Sequence, residues 1–364
     1  TFRKDTYETD SRNPEIEKAS DLVTDLSRRD FTINSIAYSL ETNELIDPFS
    51  GLKDLASGTI STPDDPIISF SDDPLRMLRV CRFASTHGFS PDNETYIAMK
   101  ENIERIKIIT KERIRDEINK LLVGKNPSMG IRTLVESGLS LYIIPEINEL
   151  KIEVDPKHHH KDVYEHTLAV LDGVPPKLTL RMGALLHDIA KPNTKGIENG
   201  KVHFRHHEVV GARMTKKILK ELKYDNKTIK DISLLVEQHL RPHTFKMGWT
   251  DSAVRRYIVD AGHMLEDLNQ LVRADVTTKN KTKAKEIYDN LDEMEKRIEE
   301  VKAKEELSKI RPALSGDEIM KHFNIQPGPK VGVIMKALYE QRINDGEVSK
   351  EEALQLAEET FKNL

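Results

Sequence analysis

The sequence predicts an α+β fold dominated by helices. Residues 1 to about 60 mix short strand patterns with turn signals, whereas from about residue 66 helical apolar periodicity runs almost without interruption. The composition agrees: 37% apolar, 32% charged and only 5% aromatic residues suit a soluble, mostly helical protein. A chain of 364 residues allows about two to four domains. Its punctuation suggests four segments, at about 1–60, 61–150, 151–280 and 281–364.

The elements follow in order. "TFRKDTY" and "IAYSLETNELID" carry strand patterns, with "DPFSGL" as a turn. In "DLSRRDFTINSIAYSL", residues 25–40, the apolar Phe31, Ile33, Ile36, Ala37 and Leu40 also recur at helical intervals and predict a helix opening near Ser27. Two adjacent guanidiniums at a helix start, Arg28 and Arg29, are costly there unless an anion joins them. Helices continue with breaks near "GFSPDN", "GKNPSMG" and "LYIIPEINEL". A histidine-rich segment begins near Lys151, with His158–His160 as the approach to its first helix. Residues 281–307 carry Ile287, Leu291, Met294, Ile298 and Val301, the narrow seam of one long helix. "QPGPKVG" then breaks the tail before a last helical pair.

Several classes are excluded. A net charge of −5 rules out a globally basic nucleic-acid binder while leaving local basic patches open. One cysteine, Cys81, rules out a disulfide framework and points to a reducing compartment. With no long apolar run and no signal peptide in the sequence, the cytoplasm is the expected location and no membrane partner is expected.

"SDDPLRMLRVCRF", residues 71–83, supplies the first chemistry. On a helix Asp73 and Arg76 share a face while Leu75, Leu78 and Cys81 fall on the opposite arc; Arg79 and Arg82 continue the basic series. A carboxylate beside a guanidinium is able to read a base edge, accepting from an exocyclic amine and donating to the neighbouring ring atom. Cytosine and adenine offer that amine, whereas uracil and guanine put an oxygen against the carboxylate. The competing interpretation is an ordinary surface ion pair.

The order RRDFTIN, then DPFSGLKDL, then DDPLRMLRVCRF resembles the tRNA nucleotidyltransferase/poly(A) polymerase family, specifically the class II CCA-adding enzymes, over essentially the whole chain. The resemblance implies the C-terminal part of a polymerase-β-like nucleotidyltransferase head at 1–60, nucleotide- and RNA-binding neck and body helices at 61–150, and a helical tail at 281–364. It implies transfer of CMP and AMP from CTP and ATP to the tRNA 3′ end with Mg²⁺. Nucleotide contacts then fall on Arg29, Asp30 and Asn34, base templating on Asp73 and Arg76, and further nucleotide binding on Arg79 and Arg82. Asp72 stands where the family usually has Glu. The sequence has no Gly-Gly and no Asp-x-Asp, the motifs whose carboxylates hold the metal in this family and which its pattern puts before Thr1. Taken as written, the chain is expected to recognise a nucleotide without transferring it, as a piece of a longer enzyme rather than a non-catalytic paralogue.

The segment 151–280 holds the ordered series "VYEHT" (His166), "LLHDIAKP" (His187, Asp188), "FRHHEVVGA" (His206, His207), "VEQHLRP" (His239) and "RADVT" (Asp275). Imidazoles and carboxylates together suit divalent transition metals such as Ni, Mn, Co, Zn or Fe. The series resembles the HD superfamily of metal-dependent phosphohydrolases. By that match His166, His187, Asp188 and Asp275 serve a first metal, with His207 and His239 as candidates for a second. His207 is preferred to His206 because it opens the H-E-x-x-G pattern. Lys191 either neutralises a phosphate or caps a helix end.

Family resemblance also places tRNA along the body and tail. "TKERIRDEINKLLVGK", residues 110–125, offers Arg113, Arg115, Lys120 and Lys125 as a basic surface, and the "PGPKVG" turn offers Lys330 and helix-start N–H groups, unless it is simply a turn. Beside CCA addition stand three other readings: an HD-type phosphatase or 2′,3′-cyclic phosphodiesterase, a poly(A) polymerase, and a non-enzymatic tRNA-binding module.

Overall fold

The computed structural model describes residues 3–6, 15–18, 21–152, 162–199, 201–278, 280–304 and 311–364; His158–His160 lie outside them. The chain divides into two compact units, Thr1–His239 and Leu240–Leu364, a boundary inside the histidine-rich segment. Strands among the described residues form two-stranded pairs, and helices make up the rest of the regular structure.

The first unit starts with the antiparallel pair β1 (Arg3–Thr6) and β2 (Glu15–Lys18). Helix α1 (Leu22–Ser27) follows, capped by Asp21, whose Oδ1 accepts from Thr24 N at 2.8 Å. The expected helix opening near Ser27 is therefore corrected: a helix ends there, and Arg28 is its C-cap residue. Cations are favoured at that negative end of the dipole, so the arginine pair carries no helix-start penalty. Beyond it the chain makes a short 3₁₀ turn, Thr32–Asn34, then the hairpin β3 (Ala37–Ser39) and β4 (Glu44–Ile46). Leu40 is 91% exposed, so the apolar residues of 31–40 build no helical face. Asn43, at φ 58°, makes the hairpin turn instead.

Helix α2 (Gly51–Ser57) pins the RRDFTIN loop. Asp47 caps it, accepting from Gly51 N at 2.7 Å and Leu52 N at 3.0 Å, and Thr32 Oγ1 donates to Asp54 Oδ2 at 2.6 Å. Gly51 sits so close to the loop that a Cβ would lie 2.2 Å from the Thr32 carbonyl oxygen. Gly51→Ala is therefore expected to destabilise the protein by about 1–3 kcal/mol through backbone displacement. A thermal melt matching the wild type would contradict this close approach.

Next come β5 (Thr59–Ile60), α3 (Pro66–Asp72), α4 (Leu75–His87), β6 (Ser90–Pro91), which pairs parallel with β5, and α5 (Asn93–Glu101). Asp73 is extended, at φ −129° and ψ 91°. A residue before proline is pushed out of the helical region, and Pro74 does this here. Asp73 and Arg76 consequently do not share a helical face; a break separates α3 from α4, with Asp73 Oδ1 accepting from Leu75 N at 3.3 Å. Leu75, Leu78 and Cys81 are buried, as their arc predicts. Helix α6 (Lys111–Leu122) buries Ile114, Ile118, Leu121 and Leu122, and α7 (Pro127–Glu136) packs with it against α4.

After the short turns α8 (Ser140–Ile143) and α9 (Glu146–Glu149), four longer helices remain in this unit: α10 (Val163–Gly173), α11 (Leu178–Leu186), α13 (His207–Glu221) and α14 (Asn226–Gln238). Between α11 and α13 lie α12 (Lys191–Thr194) and the hairpin β7 (Lys195–Glu198) and β8 (Lys201–Phe204). Buried Arg181 fastens α11 to the end of α6, donating to the Leu122 and Gly124 carbonyls at 2.9 Å each and to Val174 O at 3.1 Å.

In the second unit α15 (Asp251–Ala261) and α16 (Leu265–Ala274) precede the long α17 (Lys281–Lys304), which buries Leu291, Met294, Ile298 and Val301 as the seam requires; Ile287 is half-buried. Helices α18 (Gly316–Phe323), α19 (Pro329–Asp345) and α20 (Lys350–Lys362) enclose a small core of Leu314, Ile319, Ile334, Leu338, Ala353 and Ala357. Among the described residues no helix is long and apolar enough to cross a membrane.

Candidate functional site

Two sites emerge in the first unit. A cleft of about 510 Å³ is lined by Arg28, Arg29, Asp30, Asn34, Asp73, Leu75, Arg76, Arg79 and Arg113. Five guanidiniums face two carboxylates, so the cleft is net positive and suited to an anion. Its walls are internally braced. Arg28 pairs with Asp25 at 2.6 Å, and Arg29 Nη1 donates to Asn34 O at 3.0 Å. The Asp30 carboxylate accepts from Asn34 Nδ2 at 3.0 Å and from Arg79 Nε at 2.7 Å, with Arg79 Nη2 alongside. Arg76 donates to Ser69 Oγ at 2.6 Å and to the Arg28 carbonyl. Burial raises the pKa of neighbouring Asp72 above the ordinary carboxylate value despite Arg76 and Arg105.

The cleft gathers six of the seven residues expected to bind the nucleotide. Arg82 departs from the set: its guanidinium lies off the lining and pairs at 3.2 Å with Glu117, a buried carboxylate that needs a counter-cation. Arg113 departs in the other direction. It was expected on an RNA surface, yet it lines the cleft from the first turn of α6. Nothing in its local pattern separates it from Arg115, which pairs with Asp116 and donates to the Lys223 carbonyl at 2.5 Å. Lys120 pairs with Glu117 at 3.0 Å, and Lys125 is exposed. In the second unit Lys330, at the start of α19, lies over the Phe361 ring.

The second site is a metal-ligand cluster. His166, His187 and Asp188 form one group of converging donor atoms, and Asp188, His207 and His239 form another, with atoms within 4.8 Å of one another in each. Asp188 is buried and central. Its Oδ2 lies 3.4 Å from His166 Nε2 and 3.2 Å from His187 Nε2, while Oδ1 lies 3.2 Å from His207 Nε2 and 3.8 Å from His239 Nε2. Helix ends aim these rings. His187 and His239 are the C-cap residues of α11 and α14, and His207 opens α13.

Each of these three donates Nδ1–H to the carbonyl three residues earlier: His187 to Ala184 at 2.8 Å, His207 to Phe204 at 2.7 Å, His239 to Val236 at 2.7 Å. A carbonyl only accepts, so the tautomer is set and Nε2 is left as a lone-pair donor. His206, at φ 62°, is exposed and forms the turn into α13, whereas buried His207 belongs to the converging group.

The donor set fits a divalent metal. Two imidazole nitrogens, His166 Nε2 and His187 Nε2, approach to 3.3 Å, and buried His207 Nε2 faces Asp188 Oδ1 at 3.2 Å. Burial would raise the Asp188 pKa, but His187 and His207, where their Nε2 carries a proton, and Lys191 overcome it and hold the carboxyl well below its ordinary value. Lys191 Nζ lies 2.5 Å from Asp188 Oδ2. Asp275 belongs to the second unit, where it faces His243 Nε2 at 3.5 Å. The arginine cleft does not fit the Mg²⁺ pair of nucleotidyl transfer, because the Asp30 carboxylate there is already committed to Arg79 and Asn34.

Comparison with known proteins agrees with this order of sites. Residues 1–61 match a poly(A) polymerase head domain, 88–151 a probable RNA and SrmB-binding site of polymerase A, and 158–277 an HD domain. The chain is 32% identical to the A-adding tRNA nucleotidyltransferase of Deinococcus radiodurans over 335 residues, covering 88% of this chain and 75% of that protein. It is 29% identical to the CCA-adding enzyme of a Geobacillus species, covering 96% and 74%. It is 28% identical to the CC-adding tRNA nucleotidyltransferase of Thermus thermophilus, covering 91% and 76%. The crystal structure of the Bacillus stearothermophilus CCA-adding enzyme in complex with CTP shares the fold, at a TM-score of 0.64 and 21% identity over 100% of this chain and 78% of that one. The chain belongs to the tRNA nucleotidyltransferase/poly(A) polymerase family, in its CCA-adding, HD-containing branch.

Proposed function

We propose that the arginine cleft holds CTP or ATP and that the protein transfers CMP and AMP to the 3′ end of tRNA. The observation that carries this is the cleft itself: five arginines around Asp30 and Asp73, with Arg76 beside Asp73. Guanidiniums bind phosphate oxygens through charge-assisted, often bidentate hydrogen bonds. Arg29, Asn34, Arg79 and Arg113 hold the nucleotide, Asp30 keeps Arg79 oriented, and Asp73 with Arg76 reads the base edge. Arg115, Lys120, Lys125 and Lys330 are phosphate contacts for tRNA, positioning it by shape and charge. Mg²⁺ is the proposed ion for transfer, held by carboxylates other than Asp30.

The test uses the protein expressed from its complete reading frame, a tRNA lacking its terminal CCA, and labelled CTP and ATP with Mg²⁺. The expected result is CMP and AMP incorporation ending at three nucleotides. No incorporation would refute the proposal. AMP added only to a tRNA already ending in CC would assign A-addition, and a long tail with ATP alone would assign a poly(A) polymerase.

The buried histidine–aspartate cluster favours a second activity, metal-dependent hydrolysis of a phosphate ester. His166, His187, Asp188, His207 and His239 are the ligands. A bound Ni²⁺, Mn²⁺, Co²⁺, Zn²⁺ or Fe²⁺ would supply Lewis acidity toward the ester. The chain's own groups set the donor orientation through the three Nδ1–carbonyl bonds, and Lys191 brings a cation to the same carboxylate.

A further inference from the structure

Ser69 holds both members of the Asp73–Arg76 pair. It lies in α3 and is 6% exposed. Its hydroxyl accepts from Arg76 Nη1 at 2.6 Å, seven residues on and across the helix break. Its backbone carbonyl accepts from Asp73 N at 3.2 Å, which ends α3 at the residue whose carboxylate lines the cleft. A serine inside a helix commonly turns its hydroxyl back to its own helix; here the hydroxyl oxygen serves a cleft arginine instead.

The Arg76 guanidinium has five N–H donors in a planar fork. One is taken by Ser69 Oγ and one by the Arg28 carbonyl, and these two anchors fix the plane of the fork. The remaining donors stay available to the cleft. A long arginine side chain otherwise samples many rotamers, and a base is told from its competitor only while the donors stay in register with the acceptor carboxylate.

We infer that Ser69 is a positioning residue for base selection: its hydroxyl sets the angle at which Arg76 meets the nucleobase beside Asp73. This rests on the reading of Asp73 and Arg76 as the base-reading pair. Ser69 does not line the cleft, so its effect passes through Arg76.

The test measures kcat/KM for CTP and UTP on a tRNA lacking CCA, using the protein from its complete reading frame. Ser69→Ala is expected to lower the CTP-to-UTP preference about tenfold, the scale of losing one hydrogen bond to a charged group. The loss should fall mainly on KM for CTP, with a melting temperature close to wild type. In an Arg76→Ala background the same change should alter the preference less than about twofold, because the two residues act as one unit. An unchanged preference in Ser69→Ala, or an equal loss with both nucleotides, would overturn the inference while Arg76→Ala still erased selection. So would a full effect of Ser69→Ala in the Arg76→Ala background. If Arg76→Ala and Asp73→Ala themselves left the preference intact, the base-reading interpretation would be what failed.

Discussion

Replacing Asp188 with alanine is expected to weaken divalent-metal binding by at least about a hundredfold, and hydrolysis of a chromogenic phosphate ester with it. Even orienting groups around metal ligands cost about 10–100-fold when removed, and Asp188 is the residue common to both ligand groups. Its two oxygens divide the histidines: Oδ2 faces His166 and His187, Oδ1 faces His207 and His239. No single histidine substitution touches both halves. Calorimetric titration of the metal-free chain with Mn²⁺ or Ni²⁺ measures the binding. Equal affinity in wild type and Asp188→Ala would remove the metal centre from this description. The wild type should also melt lower after chelation, since a ligand at about 100 times its Kd stabilises the folded state by roughly 2.7 kcal/mol. Asp188→Ala should lose that sensitivity.

Alanine at Asp73 or at Arg76 is expected to erase discrimination between CTP and UTP by a factor of about 10² or more, while the protein stays folded. A site built to hydrogen-bond a polar group rejects an analogue lacking it by far more than a hydrophobic pocket does. The Asp73 carboxylate is an acceptor only, so the uracil carbonyl oxygen meets a like partner where the cytosine amine meets a complementary one. Neither residue carries much of the core: Asp73 sits in the break between α3 and α4, and Arg76 is held by Ser69 and a backbone carbonyl. Steady-state kcat/KM for the two nucleotides, beside a thermal melt, decides the matter. Preserved selection in both variants would show that the base is read elsewhere in the cleft.

The helical character and the order of the motifs were legible in the sequence, because each depends on local pattern. Leu291, Met294, Ile298 and Val301 announce the buried seam of α17 by spacing alone. The HD series is recognisable from chain order and residue type, but only the fold shows which of its members converge, and Asp275 is not in either group. The helix expected from Ser27 was misread for a physical reason: helical spacing of Phe31, Ile33, Ile36 and Leu40 is only a prior, and a turn at Asn43 with strand pairing overrode it. Pro74 gave a legible warning that Asp73 would leave the helix.

What the sequence determined by itself was therefore chemistry by type: arginines and aspartates in one motif, histidines and an aspartate in another, and a helical chain to carry them. Which of those side chains meet was decided only by the tertiary structure. Arg113 joins the cleft and Arg82 leaves it for Glu117, although the two look alike in sequence. The pairing of Ser69 with Arg76 and the division of four histidines between the two oxygens of Asp188 depend on distances between separate helix ends. Those distances come from the packing of apolar faces far along the chain, and no periodicity encodes them.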